Sequence, residues 1–507
     1  MLEFLANGFA VALTPHNLLY CFIGCLWGTI VGVLPGLGPL AGLTLLLPLT
    51  FQLDATSALI MLAGIFYGAM YGGSTTSILL RIPGEAASVI TCIDGHEMAK
   101  QGRAGPALVV AAVGSFIGGS VSVIGLMLFA PSLAKVMLQV GPAAEFALMV
   151  LALIVMSFIS SGPAIKTIAM ILLGLIIATV GLDPITAYPR FTFGSIQFAE
   201  GVSFVAMALG LFGVSEILLN MEDIVSVKPI SPTLRSLVPR WADMRDSAPA
   251  VGRGTLIGFL FGFIPGISHV ISTFVSYAVE KRFSRHPEQF GHGAIAGVAG
   301  PETANNATTG SSMIPLLVLG IPAIPATAIL LSAMMIHGIQ PGPQLVSEHP
   351  EVFWGLIASM YVGNAMLLVL NLPLVGLFVN LLRIPYAYLA PGVLLICVIG
   401  IYSVSANANE ILIMAVFGLL GYALRKFKFD IAPLLLAVVL GDRIEVSLRR
   451  ALIISEGDYW ALLQGAASRV IVGAALLLLV LQSIAWALGF RKKLLAAAAD
   501  EETPPPA

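Results

Sequence analysis

A long apolar run that should continue as one membrane helix is interrupted at Gly28-Thr-Ile-Val-Gly-Val-Leu-Pro-Gly-Leu-Gly-Pro39. This interruption constrains the chain more than any other feature. Pro35 and Pro39 lack a backbone donor, while Gly36 and Gly38 admit conformations that other residues avoid. The backbone therefore opens with apolar residues on both sides. An unpaired N–H or C=O in hydrocarbon costs several kcal/mol, so such an opening persists only against protein, a water-filled cavity or a ligand. The device recurs. Gly258-Phe-Leu-Phe-Gly-Phe-Ile-Pro-Gly-Ile-Ser268 matches Gly28, Gly32, Pro35, Gly36 and Gly38 at one constant offset, with Ser268 in place of the last glycine. Two broken apolar segments in corresponding halves of a chain point to a secondary transporter.

Composition agrees. Only 10% of the 507 residues are charged and 58% are hydrophobic, whereas a soluble domain carries about 25% charged residues. The expected class is an all-α polytopic integral membrane protein. A net charge of −2 argues against a nucleic-acid surface. There is no Walker-type loop, no nucleophile–base motif and no metal-spaced His/Cys cluster, so neither catalytic nor metal-binding residues are expected. Cys21 and Cys25 share a helical face and read as small buried hydrophobes. The start of the chain lacks the basic region of a cleavable signal peptide, so its first segment is expected to be retained.

The organisation reads as two repeats. Residues 1–220 hold a re-entrant hairpin at 17–51 and a broken crossing helix at 57–90. Residues 221–253 form a polar, proline-bearing linker. Residues 254–490 hold the second hairpin at 254–280 and the second broken helix at 291–338, and 491–507 is a disordered tail. Each break is assigned to a polar run, Gly72–Ser77 in one half and Pro301–Ser312 in the other, with Arg81-Ile-Pro83 paralleled downstream by Gly320-Ile-Pro322. Asp94-Gly-His-Glu97 reads as a solvated turn.

Charge sets orientation. Asp54 follows the first hairpin, and Lys281, Arg282 and Arg285 follow the second; Lys100 and Arg103 follow the first broken helix, and Glu348 and Glu351 the second. Asp183 likewise stands against Arg425, Lys426 and Lys428. Lys and Arg favour the cytoplasmic side, so equivalent loops lie on opposite sides and the repeats are inverted, with about eleven crossings in all. Arg443, Arg449 and Arg450 disagree, because they would fall outside.

These motifs together resemble the large membrane subunit, TctA, of the tripartite tricarboxylate transporters. The resemblance spans nearly the whole chain and rests on Gly32-Val-Leu-Pro-Gly-Leu-Gly38, Tyr71-Gly-Gly-Ser74 with Ile82-Pro-Gly-Glu85, Pro301-Glu-Thr-Ala-Asn-Asn306 and His337-Gly-Ile-Gln-Pro-Gly-Pro343. It implies a multi-pass protein of the bacterial inner membrane that imports a di- or tricarboxylate, or a similar organic anion. The implied partners are a periplasmic solute-binding protein (TctC-like) and a small membrane subunit (TctB-like). The implied driving force is a Na⁺ or H⁺ gradient, with no other cofactor. Ser268-His269 departs from the glycine-rich tip of the first repeat. A passive anion channel and a membrane-embedded enzyme are the rival readings.

The expected substrate-binding residues are Gly73, Ser74, Thr75, Thr76 and Ser77, as a helix start behind two glycines, and Asn305, Asn306, Thr308 and Thr309 in the equivalent place. Carbonyls and hydroxyls at the hairpin tips, Pro35, Gly36, Gly38, Pro265, Gly266 and Ser268, are candidates for an ion. Glu302 and Glu85 are the candidate ionisable groups.

Overall fold

The computed structural model describes residues 2–34, 37–137, 140–159, 163–222, 230, 237–238, 240–264, 269–381, 386–405 and 407–487. Pro35, Gly36, Pro265, Gly266, Ser268 and the tail 491–507 therefore lie outside the described residues. The protein is helical almost throughout, as expected. The strands among the described residues are Gly181–Leu182 and Pro189–Arg190, an antiparallel pair with Gly181 opposite Arg190. Six described helices are long and apolar enough to cross a membrane, and shorter apolar helices accompany them.

In the first half, α1 (Pro15–Val33) and α2 (Gly38–Thr50) come before and after Pro35-Gly36 in the chain, followed by α3 (Ala55–Leu80), α4 (Thr91–Met98) and the long α5 (Ala104–Met137). In the second half, α6 (Trp241–Phe263) and α7 (His269–Phe283) come before and after Pro265-Gly266, followed by α8 (Ala296–Ser311), α9 (Pro325–Ile336) and, further on, α10 (Ala432–Ile454). Thr14 caps α1 through the Asn17 N–H, and Asp54 caps α3 through the Ser57 N–H.

The same seam is built in both halves. Gly24, Gly28 and Gly32 of α1 press on the backbone of Met61, Ile65 and Ala69 in α3, whose carbonyls stand where a Cβ would be. Gly254, Gly258 and Gly262 of α6 press in the same way on Gly300, Ala304 and Thr308 of α8. A small residue at every fourth position forms one stripe along a helix and lets two backbones approach closely. The largest buried cluster then gathers around α3, with Phe66, Tyr67, Tyr71, Leu330 and Phe353 among its members.

Three expectations are corrected here. The polar runs do not break their helices. Helix α3 runs unbroken through Gly72–Ser77 to Leu80 and stops at Arg81, while α8 runs through Pro301–Ser311 and, after a wide turn at Pro315–Leu319, stops at Gly320. The hydroxyls return their protons to their own helix: Ser74 to Met70 O (3.2 Å), Ser77 to Gly73 O (2.9 Å), Thr308 to Ala304 O (2.8 Å) and Thr309 to Asn305 O (3.0 Å). The real terminators are the Ile-Pro motifs, since a residue before proline avoids the helical region. Nor are the two polar runs equivalent. The offset that carries Met61, Ile65 and Ala69 onto Gly300, Ala304 and Thr308 carries Arg81 onto Gly320 but Ser74 onto Met313.

The linker is the second correction. Helix α6 begins at Trp241, inside the expected 221–253 segment. Charges at its start and within it are paired: Arg103 donates to Asp243 at 2.6 Å, and Arg253 grips the buried Glu280 carboxylate through two bonds of 2.8 and 2.5 Å. The third is Asp94, which is fully buried rather than solvated. Its Oδ1 accepts the N–H groups of Gly291, Gly293 and Ala294 at 2.8–2.9 Å, and its Oδ2 accepts the Tyr277 hydroxyl.

One of the three discordant arginines finds an explanation in its partners. Arg449 pairs with Asp183 at 2.7 Å and with Glu445, and Arg190 joins both acids. Arg443 donates to the carbonyls of Gly320 (3.0 Å) and Pro341 (3.2 Å). Paired with two acids, Arg449 carries little of the free charge that orients a loop.

Candidate functional site

A cavity of about 840 Å³ opens where the ends of four segments converge. Leu37–Leu40 and His269–Ile271 line it from the starts of α2 and α7, and Pro83–Ala87 and Ala323–Ala326 line it from the stretches that follow the ends of α3 and α8. Four helices thus begin on its wall: α2 at Gly38, α7 at His269, α9 at Pro325 and α10 at Ala432. The first N–H groups of a helix have no partner within it, and each such end carries roughly half a positive charge. Arg425 and Lys428 stand on the same wall, with Glu216 paired to Arg425. Lys166 lies nearby, 4.8 Å over the Phe429 ring. Phe66, Met70, Met156 and Phe212 supply apolar surface. Glu85, Glu216 and Asp430 stand on the wall as well, and Asp430 Oδ1 accepts the first N–H of α10, so helix ends, two cations, three acids and apolar surface meet in one cavity.

Of the residues singled out in the sequence, Gly38 and Glu85 line this cavity. Ser74, Thr75, Thr76, Ser77, Asn305, Asn306, Thr308 and Thr309 do not. Ser74 and Thr75 face a void of only about 10 Å³ beside Ser115, room for one water at most. Thr76 donates to Val33 O (2.6 Å), the carbonyl freed where α1 ends at the tip. Thr308 ties Gly258 O (3.1 Å) and Ser272 (2.8 Å) to α8, and Asn306 holds Ser115 at 2.7 Å. Thr309 meets His269 Nε2 at 3.1 Å, just behind the cavity wall. Gly73 leaves room for Glu85, whose Cγ would crowd any Cβ there at 2.8 Å.

The two acidic candidates are exchanged between the halves. Glu85, from the first break, accepts Asn305 Nδ2 of the second half at 2.9 Å and the Ala87 N–H at 2.7 Å. Glu302, from α8, is bonded by Ser74 and Thr91 of the first half. The ends of the two halves are exchanged as well. Gln101, beside Lys100, donates to His292 O in the loop after the second hairpin, and His337, after the second break, lies beside Thr50 and Asp54.

Sequence reasoning missed Thr91 and the α9 start as site-building residues, and it used Arg425 and Lys428 only for orientation. The signal for α9 was present: Pro325 occupies the first helical position, where a proline loses nothing.

Residues 18–436 match the family described as "Tripartite tricarboxylate transporter TctA family". Over 486 residues, 95% of this chain and 97% of the relative, the chain is 47% identical to the "Uncharacterized 52.8 kDa protein in TAR-I ttuC' 3'region" of Agrobacterium vitis. It is also 47% identical over 224 residues, 44% of this chain and 93% of the relative, to the "Uncharacterized protein in TAR-II ttuC' 3'region" of the same organism. No solved structure matches the chain.

Proposed function

The chain belongs to the tripartite tricarboxylate transporter TctA family, and from that premise we propose that it is the translocating subunit of a secondary importer of di- or tricarboxylates. It would work in a bacterial inner membrane with a periplasmic binding protein and a small membrane subunit, driven by an ion gradient. The observation that carries this reading is the convergence of four helix starts, Arg425 and Lys428 on one cavity. A carboxylate there meets backbone N–H groups and two cations held in place by the fold, so little reorganisation opposes binding.

The arrangement of loops supports inverted halves and alternating access. The basic loops of the two halves touch through Gln101 and His292, although they follow different elements, and the Asp54 loop meets His337. That is the pattern of one unit turned over relative to the other. A channel needs a continuous pore lined by repeated groups, whereas the segments after the two helix ends line a single cavity.

Reconstitution into vesicles with the cognate partner subunits tests the reading. Citrate inside should accelerate entry of labelled citrate, with the compound unchanged on recovery. Conductance without exchange would establish a channel, and altered citrate an enzyme.

A further inference from the structure

Glu302 is 1% exposed, and its carboxyl group reaches into the other half of the chain. Its Oε1 meets the Thr91 hydroxyl and its Oε2 the Ser74 hydroxyl. The charged and titratable groups around α8 fall into two sets. Asp94 receives three N–H groups and the Tyr277 hydroxyl beside Gly297, and Glu280 is gripped by Arg253 beside Gly300. Both are satisfied as anions. His269 is held at Thr309, Cys92 lies on α4, and α5 offers the uncharged Ser115 and Ser122. That leaves Glu302 and Glu85, for which no cationic partner stands among the described residues.

Proton counting separates the two. Ser74 Oγ carries one proton but lies within reach of two acceptors, Met70 O at 3.2 Å and Glu302 Oε2. Ser74 and Thr91 are hydroxyls, which can donate to the Glu302 carboxylate or accept a proton from the acid, so the pocket holds Glu302 in either state. Glu85 is different: both its partners are N–H donors, to which it can only accept.

We propose that Glu302 is the proton-carrying group of the transport cycle, so that H⁺ rather than Na⁺ is the coupling ion; this rests on the transport reading above. Protonation adds H⁺ from water to the Glu302 carboxylate, and the protonated acid bridges Ser74 and Thr91 across the two halves. Release returns the same H⁺ to water. It leaves two buried carboxylates without a cation, an arrangement that favours separation of the halves.

Difference infrared spectra of the full-length protein in vesicles, taken between a low and a high pH, read the proton directly. The wild type should show the carbonyl band of a buried carboxylic acid that disappears at high pH. The band should be lost in Glu302→Gln and retained in Glu85→Gln. If Glu302→Gln does not fold, Ser74→Ala should displace the band, because its hydrogen-bond partner is gone. A band that survives Glu302→Gln, or one that neither variant at Glu302 nor Ser74 alters, overturns the proposal. With partner subunits present, a pH gradient should drive citrate accumulation by the wild type and not by Glu302→Gln. Accumulation driven equally in both by a Na⁺ gradient also overturns it. Failure of the wild type to exchange citrate at all would refute the transport reading instead, with the infrared result still deciding the proton site.

Discussion

Arg81 and Gly320 hold the same left-handed backbone, φ 61 and ψ 26 against φ 65 and ψ 25, at the ends of the two buried crossing helices. The two halves stop their helices with one device, and only one half uses glycine for it. An L side chain in this region costs about 1–2 kcal/mol. Arg81→Gly should therefore stabilise the detergent-solubilised protein by about 1 kcal/mol, seen as a raised thermal midpoint. Gly320→Ala should do the opposite and more strongly, by roughly 2 kcal/mol or more, since its Cβ also meets the Pro341 carbonyl at 2.7 Å and the Arg443 guanidinium. Equal and small effects at both positions would show that the turn is not strained.

Within α6 two glycines have opposite surroundings. Gly258 presses on the backbone of Ala304, while nothing stands near a Cβ built on Gly252. Gly258→Ala should abolish or sharply reduce the folded yield, because a carbonyl cannot rotate away as a side chain can. Gly252→Ala should be neutral or gain up to about 1 kcal/mol from helix propensity. Gly28→Ala should repeat the Gly258 result in the other half, which is the measurement that checks the shared seam.

Much of this was legible in the sequence, for local reasons. The loss of a donor at Pro35 and Pro265 is a property of the residue itself, so the ends of α1 and α6 just before them could be read directly. The place where α3 ends could not, because arginine does not announce a left-handed turn and a run such as Ser74–Ser77 looks like a break until its hydroxyls are seen bonding to their own helix. Asp94 looked solvated because its partners, Gly291 to Ala294, arrive from the other half of the chain. The start of α6 was hidden for the same reason: Asp243 and Glu280 are neutralised by arginines distant in sequence. The cavity was the least legible feature, being made by helix starts whose chemistry lies in the backbone.

The inverted arrangement predicts a labelling pattern. A cysteine placed near Lys100 and one near Arg282 should both be shielded from an impermeant periplasmic thiol reagent in intact cells, and one near Asp54 should react. Reaction of the Lys100 and Asp54 positions from the same side would refute the inversion.

Asp183 supplies a pH dependence outside the spans. The backbone N–H groups of Thr186 and Ile185, with Arg449, hold its carboxyl well below the usual carboxylate range. A depressed folded value means the contribution is fully present above the ordinary carboxyl value near 4 and is lost as pH falls further toward the folded value. The hairpin carrying Gly181–Arg190 should therefore resist protease equally at pH 7 and pH 5 and loosen only in stronger acid. Asp183→Asn should remove that acid dependence and make the hairpin as labile at pH 7 as the wild type is in acid.

The charges on the cavity wall allow the anion site itself to be tested. Lys428 is exposed at the wall, whereas Arg425 is committed to Glu216. A lysine near an exposed carboxylate contributes about 1 kcal/mol at most after screening, so Lys428→Gln should raise the half-saturating citrate concentration about fivefold, and less at high salt. Arg425→Gln should be worse than the loss of one cation, because it leaves the Glu216 carboxylate facing the incoming anion. The double variant Arg425→Gln/Glu216→Gln should recover part of that loss, which loss of an attractive contact alone would not allow. Helix starts at Gly38, His269, Pro325 and Ala432 remain in every variant, so binding should be weakened rather than abolished. Unchanged half-saturation in Lys428→Gln and Arg425→Gln alike would place the anion elsewhere and remove the central support for the transport reading of this cavity.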